Sequence, residues 1–368
     1  MRVFVFSSLI GLFLFLQPGC STDPAVHITS DNQNHKKSAD ISVKHSNNVP
    51  DSSYDSLKDF VRLDFVLKAD EQAAQGKVHR VKYHKQYYTN HYIVIEGKIG
   101  TRANQYPVVL DTGASQPFFL NISHVLDNKL PIYTMENAIS DLNGYKLGIC
   151  YLPLLQIGGI TFTNRPCLYL EPSANKDLFG VQVVSNNSNS DTVIVGLPVL
   201  RQFNYIMFDN IDNEVEFSYN KNFETDQSDL WEKFPLTTEE DFHGNVFLFV
   251  KISIAGKEVE LQFDSGSGRG LAIGKKLWDK VDGHVQDLDL EEGRDFYPYI
   301  GRLTCRRGIV PNLQVGDRTV KNAEISVFPD DSPLLTECGG LLGMQYFQHT
   351  VVVLDFKRSL MWVKNHKV

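Results

Sequence analysis

The sequence predicts an all-β protein of two similar β-barrel lobes, with a cleft between them and few short helices. Three observations support this prediction. The chain has 368 residues, enough for about two domains. Its apolar runs are short, rich in Val, Ile, Phe and Tyr, and separated by Gly, Asn and Asp, which is typical of strands and turns. Several blocks of the first half also recur in the second half in the same order, so we expect a ligand site between two related lobes.

The composition excludes several classes of protein. Hydrophobic residues make up 42% and charged residues 22% of the chain, which are globular values. The net charge of −8 gives no basic surface for a polyanion, so we expect no nucleic-acid partner. Only the N-terminus is apolar enough to enter a bilayer, which excludes a protein with several membrane spans.

The first 19 residues have the pattern of a signal peptide. Arg2 precedes an apolar run over residues 3–16, and this run ends just before Cys20. The cysteine with Gly19 before it resembles a bacterial lipobox. That resemblance implies export, lipidation of Cys20 and anchoring in the bacterial cell envelope, facing either the periplasm or the surface. An ordinary cleaved signal with an incidental cysteine stays open as the alternative.

Residues 20–56 differ in composition from the rest of the chain. Ser, Asn, Asp, His and Lys dominate, and the apolar residues show no period of a helix or a strand. Such a segment cannot bury enough apolar surface to fold, so we expect a flexible tether or a merely disordered leader. The N-terminal lobe would then cover residues 57–223 and the C-terminal lobe residues 224–368.

The repeated blocks indicate an internal duplication. Residues 153–164 (PLLQIGGITFTN) and 311–322 (PNLQVGDRTVKN) are identical at six of twelve positions. Four further pairs of blocks recur in the same order: 91–99 with 246–254, 108–114 with 261–267, 194–203 with 341–350, and 207–217 with 353–363. Short helices are expected only near 197–203 and 343–348. The second half is therefore interpreted as a diverged copy of the first.

One carboxylate follows an apolar strand in each copy. Asp111 begins the run Asp-Thr-Gly-Ala, and Asp264 begins Asp-Ser-Gly-Ser. Gly113 and Gly266 allow the backbone to come closer than other residues would permit. If the two loops meet, the carboxylates share a proton, because two adjacent carboxylates cannot both ionise. Such a pair can activate a water between them by general acid–base catalysis, with no metal and no cofactor.

The two motifs within a duplicated framework resemble those of the pepsin and retropepsin group of aspartic proteases. Hydrophobic-hydrophobic-Gly blocks at residues 194–196 and 341–343 add to this resemblance. It implies an endopeptidase that holds an extended peptide or protein substrate in its cleft. One chain supplies both aspartates, so a monomer would suffice for activity.

The resemblance also implies roles for the neighbouring residues. Support of the two aspartate loops is implied for Thr112, Gly113, Ser115, Ser265, Gly266 and Ser267. Ser267 would donate a hydrogen bond to Asp264, which would favour the negative charge on Asp264 and the shared proton on Asp111. A hairpin flap is expected before residue 153, with Gly144 at its tip. Tyr145 is the candidate flap tyrosine, with Tyr133 as its alternative.

Two further alternatives stay open. The same fold could serve as a non-catalytic, peptide-binding lipoprotein in which hydrolysis has been lost. The four cysteines after Cys20 could form two bridges, Cys150–Cys167 and Cys305–Cys338, or remain buried thiols.

Overall fold

The computed structural model describes residues 43–44, 78–85, 92–100, 104–135, 145–172, 192–226, 230–241, 245–282, 289–297, 301–335 and 338–364. The predicted signal peptide, Cys20 and most of the predicted tether lie outside these ranges. No helix within the ranges combines the length and the apolar character needed to cross a membrane.

Strands dominate the described part of the chain. In chain order they are β1 (Val43–Lys44), β2 (Val78–Lys82), β3 (Val94–Ile99), β4 (Gln105–Asp111), β5 (Phe118–Asn121), β6 (Ile132–Met135), β7 (Tyr145–Ile157), β8 (Ile160–Pro172), β9 (Val193–Gly196), β10 (Tyr205–Asp209), β11 (Glu214–Ser218), β12 (Trp231–Glu240), β13 (Val246–Ile254), β14 (Lys257–Asp264), β15 (Leu271–Gly274), β16 (Glu291–Tyr297), β17 (Gly301–Val315), β18 (Arg318–Phe328), β19 (Gly340–Gly343), β20 (Val351–Asp355) and β21 (Leu360–Lys364).

The helices are short. They are α1 (Ile122–Asp127), α2 (Leu197–Leu200) and α3 (Lys275–Asp282), with 3₁₀ helices at Pro333–Leu335 and Met344–Phe347. The prediction of an all-β protein with few short helices is therefore confirmed. Helices α1 and α3 were not expected. A local cap begins α1: the Asn121 side chain accepts the N–H of Ser123 at 3.1 Å, and the Asn121 N–H is donated to His124 Nδ1 at 3.1 Å.

The strands form two sheets. The first has eight strands in the order β1-β6-β7-β3-β4-β9-β5-β8, and the second has thirteen in the order β16-β17-β18-β15-β19-β14-β13-β12-β21-β20-β10-β11-β2. The surroundings of β4 and β14 have the same pairing pattern. β4 is parallel to β9, and β14 is parallel to β19. β5 is antiparallel to β9, and β15 is antiparallel to β19.

The repeated block of the sequence forms the same turn in both places. It covers the end of β7 and the start of β8, and again the end of β17 and the start of β18. Gly158 has φ of 56° and Gly316 has φ of 60°, a region that favours glycine. The recurring Gly is therefore required by the backbone of each hairpin turn.

Strands from both halves meet in the larger sheet. β10 pairs with β20 over five residues, from Tyr205↔Asp355 to Asp209↔Val351. Each residue of β20 is buried. The predicted boundary at residue 224 lies before β12, but β2, β10 and β11 belong to the same sheet as the strands of the second half.

Two residues of the predicted tether contribute a strand. In β1, Val43 pairs with Met135 and Lys44 pairs with Thr134 of β6. This part of the segment lies against the first sheet.

Candidate functional site

Asp111 and Asp264 each end a strand next to a parallel neighbour. Asp111 is the last residue of β4 and is paired in register with Gly196 of β9. Asp264 is the last residue of β14 and is paired with Gly343 of β19. Both aspartates are half-buried as whole residues.

The glycines opposite the aspartates allow the two loops to pack closely. A Cβ atom at position 196 would lie 1.9 Å from the carbonyl oxygen of Gln116, and one at position 343 would lie 2.1 Å from that of Arg269. Real Cβ atoms do not approach backbone oxygens so closely. The hydrophobic-hydrophobic-Gly blocks noted in the sequence thus pack directly beside the two aspartate loops.

Backbone N–H groups hold each carboxylate. Oδ1 of Asp111 accepts the N–H groups of Gly113 at 2.8 Å and Ala114 at 3.0 Å. Oδ1 of Asp264 accepts the N–H of Gly266 at 2.9 Å, and the N–H of Ser267 is a further donor to this carboxylate. The two side chains are therefore oriented by equivalent pairs of donors.

Each glycine of one loop lies against the carboxylate of the other loop. A Cβ on Gly113 would be 2.7 Å from Cγ of Asp264, and a Cβ on Gly266 would be 2.4 Å from Cγ of Asp111. The two carboxyl groups also share a side-chain hydrogen bond. The structure thus brings together the two aspartates that the sequence singles out.

Thr112 and Ser265 connect the loops by reciprocal hydrogen bonds. The Thr112 N–H is donated to Ser265 Oγ at 3.0 Å, and the Ser265 N–H to Thr112 Oγ1 at 2.9 Å. The two hydroxyls then donate to the carbonyl oxygens of Phe263 and Leu110, both at 2.7 Å. Neither Thr112 nor Ser265 is exposed. Their arrangement agrees with the role expected from the sequence.

Burial raises the pKa of both carboxyl groups. For Asp264 the pKa lies well above its usual range, because burial and the adjacent charge of Asp111 both disfavour its ionised form. The pKa of Asp111 is also raised by burial, but the hydrogen bond from Asp264 and two backbone N–H groups oppose this effect. The pair therefore holds a proton at a pH at which two isolated aspartates would both be ionised, and it titrates as one unit.

The sequence-based expectation about the proton position depends on the contacts of Ser267. Its Oγ accepts the N–H of Arg269 at 3.3 Å, while its backbone N–H is the group that serves Asp264. Ala114 gives an equivalent N–H to Asp111, so these two backbone donors do not distinguish the carboxylates.

The remaining predicted site residues are only partly placed. Ser115 is buried four residues after Asp111. The expected hairpin is formed by β6 and β7, which pair through Ile132↔Cys150 and Tyr133↔Ile149. Tyr145 begins β7, where its backbone pairs with Pro172, and Gly144 lies outside the described residues.

Neither predicted disulfide is present. Cys150 and Cys167 are buried neighbours on β7 and β8, and both are free thiols. Cys305 and Cys338 do not form a disulfide either, although Cys338 packs against the apolar cluster that contains Cys305. Within the described ranges, no group of three or more His, Cys, Asp or Glu side chains is arranged to hold a metal ion.

One cluster beside the Asp264 loop was missed by the sequence analysis. Asp295 of β16 is 1% exposed, and its carboxylate accepts Nη2 of Arg269 at 3.0 Å. The same carboxylate accepts hydrogen bonds from Arg307 and Ser326. No local pattern marks these residues, because the contacts join β16, β17, β18 and the aspartate loop.

Comparisons with known proteins correct the family assignment. No family model matches the chain, and no curated protein matches it. Among solved structures, the chain is similar to basic 7S globulin from soybean, with 13% identity, a TM-score of 0.41, and coverage of 78% of this chain and 94% of that one. It is also similar to conglutin gamma, a basic 7S globulin from lupine seeds, with 10% identity, a TM-score of 0.43 and the same two coverages. The expected membership of the pepsin and retropepsin group is therefore wrong: no family model supports it, and the solved structures similar to the chain include these seed globulins.

Proposed function

We propose that this protein is an aspartic endopeptidase, which hydrolyses peptide bonds with a water activated between Asp111 and Asp264. The contact between the two carboxylates carries this proposal. Their hydrogen bond, their raised pKa values and their partial exposure are the properties that a proton-sharing catalytic pair needs. The proposal rests on this local geometry and not on membership of any family.

For this mechanism we assign the negative charge to Asp111, whose ionised form is favoured by the hydrogen bond from Asp264, and the shared proton to Asp264. The ionised Asp111 takes a proton from the water, and the water oxygen attacks the peptide carbonyl carbon. Asp264 gives its proton to the carbonyl oxygen, which forms a neutral gem-diol. Asp111 then returns its proton to the amide nitrogen as the C–N bond breaks, and a gem-diol hydroxyl returns a proton to Asp264. The products are a carboxylic acid and an amine, and the pair regains its starting state.

The proposal extends to the cleft, the flap, the oligomeric state and the membrane anchor of the enzyme. Two homologous barrel-like lobes would leave a cleft between them for an extended peptide, with the β6–β7 hairpin as its flap. A monomer would be active, because one chain supplies both carboxylates. Lipidation at Cys20 would anchor the enzyme in a bacterial cell envelope, where it would act on exported peptides or proteins.

A fluorogenic peptide library tests this function. The purified protein should cleave library members under acidic conditions, and a statine-containing peptide should inhibit this cleavage, because its hydroxyl resembles the gem-diol. Binding of the statine-containing peptide without any cleavage would instead favour the non-catalytic peptide-binding protein. If cleavage is unaffected by the loss of either aspartate, Asp111 and Asp264 are not the catalytic pair. The non-catalytic peptide-binding alternative would be ruled out as well, because the protein cleaves peptides.

A further inference from the structure

Asp295 lies at the centre of a charged cluster beside the loop that follows Asp264. Its carboxylate is buried and accepts Nη2 of Arg269 at 3.0 Å. Arg307 of β17 and Ser326 of β18 donate to the same carboxylate. Arg269 belongs to the loop itself, five residues after Asp264. The cluster therefore connects the Asp264 loop to strands β16, β17 and β18.

The guanidinium of Arg269 bridges two carboxylates. Its Nη2 binds Asp295, and its Nη1 binds Glu324 of β18 at 3.2 Å. A guanidinium can do this because its donors have a fixed planar arrangement, which the single ammonium of lysine lacks. The side chain of Arg269 is thus fixed in position by two different strands.

The backbone of Arg269 continues this connection to Asp264. The Arg269 N–H is donated to Ser267 Oγ at 3.3 Å, and the Ser267 N–H is donated to the Asp264 carbonyl oxygen at 3.2 Å and to the Asp264 carboxylate. The Arg269 carbonyl oxygen packs against Gly343, where an added Cβ would lie only 2.1 Å away. A displacement of Arg269 would therefore move Ser267 and, with it, an N–H donor of Asp264.

The loop of Asp111 is held in a different way. At the position that corresponds to Arg269, five residues after Asp111, the chain has the uncharged Gln116. Residues 115 and 116 are buried, whereas the corresponding residues 268 and 269 are only half-buried. The second loop has less packing of its own, so the charged bridge contributes more to its position.

We propose that Asp295 is a positioning residue: through Arg269 it holds the loop in the conformation in which the Ser267 N–H serves the carboxylate pair. Its effect on catalysis rests on the proposed function. Asp295 acts through the loop backbone and needs no contact with the substrate.

The direction of the pKa change separates positioning from a direct effect of charge. Loss of the N–H donor disfavours the ionised carboxylate, so it raises the pKa of Asp264. Removal of a negative charge in Asp295→Asn would by itself lower this pKa, and Arg269→Lys leaves the charge unchanged. Asp111 and the phenol of Tyr297 are titratable groups that interact with Asp264, and both variants retain them.

Carboxyl-carbon NMR of protein with isotope-labelled aspartate measures the apparent pKa values of the pair. The resonances are assigned by their loss in Asp111→Asn and Asp264→Asn. We expect the higher apparent pKa to rise by about half a pH unit or more in both Arg269→Lys and Asp295→Asn. The alkaline limb of kcat/KM should move to higher pH by the same amount. In both variants kcat should fall about tenfold with KM nearly unchanged, because the carboxylate and not the peptide is misplaced.

Arg307→Lys is the matched control. Arg307 binds the same carboxylate of Asp295, and its side chain is 42% exposed against 39% for Arg269. It lies on β17 and not on the loop, so Arg307→Lys weakens the cluster without releasing Ser267. We expect the pair to keep its wild-type pKa values and kcat in this variant.

The outcomes separate this inference from the proposed function. An unchanged or lower pKa in either folded variant refutes the positioning role, and so does an equal rise in Arg307→Lys. If Asp295→Asn does not fold, Arg269→Lys decides alone. If the role is refuted while Asp111→Asn and Asp264→Asn are inactive, the endopeptidase proposal stands. If the wild-type protein cleaves no peptide but the NMR titration shows the expected rise, the endopeptidase proposal fails and the positioning of the pair stands.

Discussion

Thr112 and Ser265 fix the distance between the carboxylates because each hydroxyl both accepts and donates across the junction. Four hydrogen bonds of 2.7–3.0 Å depend on these two side chains, and all four are buried. Loss of either hydroxyl leaves a buried N–H and a buried carbonyl oxygen without partners, which costs more than the hydrogen bonds alone contribute.

Thr112→Val tests this junction. It keeps the shape of the side chain but removes the hydroxyl that accepts the Ser265 N–H and donates to the Phe263 carbonyl oxygen. We therefore expect the free energy of unfolding to fall by about 2–4 kcal/mol. Thr112→Ser keeps the hydroxyl and should cost only about 1 kcal/mol for the lost methyl group. Urea denaturation measures both variants, and equal losses in the two would show that the hydroxyl is not the stabilising group.

The raised pKa of Asp264 predicts how the free energy of unfolding depends on pH. Asp264 has a folded-state pKa raised well above 3.8, its ordinary value in the unfolded chain. Between these values the folded state binds more protons than the unfolded state, so stability should fall as pH rises through that window and then level off. Asp264→Asn cannot ionise at this position, so its free energy of unfolding should decline less over the same window. Urea denaturation at a series of pH values gives the free energy of unfolding of each protein. If it falls equally steeply with pH in the wild type and in Asp264→Asn, the raised pKa of Asp264 is contradicted.

At the scale of elements, each aspartate loop is shaped by the strand beside it. β9 and β19 run parallel to β4 and β14, and the glycine that ends each of them leaves room for the loop. The sequence predicted these strands, loops and glycines because their patterns are local. It could not predict the role of Asp295, because its contact with Arg269, 26 residues earlier in the chain, has no local signature. The short helices α1 and α3 were missed for a similar reason, since six or eight residues carry too few periods to stand out.

Gly196→Ala tests the packing of the first loop. The added Cβ would lie 1.9 Å from the carbonyl oxygen of Gln116, so the loop must move. We expect the free energy of unfolding to fall by about 3 kcal/mol or more, and activity to be lost. Gly100→Ala is the control: its φ of +64° disfavours alanine, but nothing lies within 4 Å of the added atom. That change should cost only about 1–2 kcal/mol and leave the site intact. If both variants lose a similar free energy of unfolding, backbone conformation and not loop packing explains why glycine is needed at position 196.

At the scale of the whole molecule, the shared sheet should make the two halves unfold together. β10 and β20 pair along their full lengths, and one apolar cluster contains residues from both halves. The three tryptophans, Trp231, Trp278 and Trp362, all lie after residue 224, so their fluorescence reports on the second half. Far-UV circular dichroism reports on all strands. We expect the two probes to give one coincident urea transition, whereas separate midpoints would show that the halves unfold independently.

The central claim is that Asp111 and Asp264 act as one catalytic pair, and kcat/KM of single Asp→Asn variants tests it most directly. Asp111→Asn removes the proton acceptor and Asp264→Asn removes the acidic donor, so each should lower kcat/KM by about a thousandfold or more, while a folded spectrum is kept. Asp212→Asn, in the exposed turn between β10 and β11, is the matched control and should retain wild-type kinetics. If either pair variant keeps kcat/KM within about tenfold of the wild-type value, the two carboxylates do not form the catalytic pair described here.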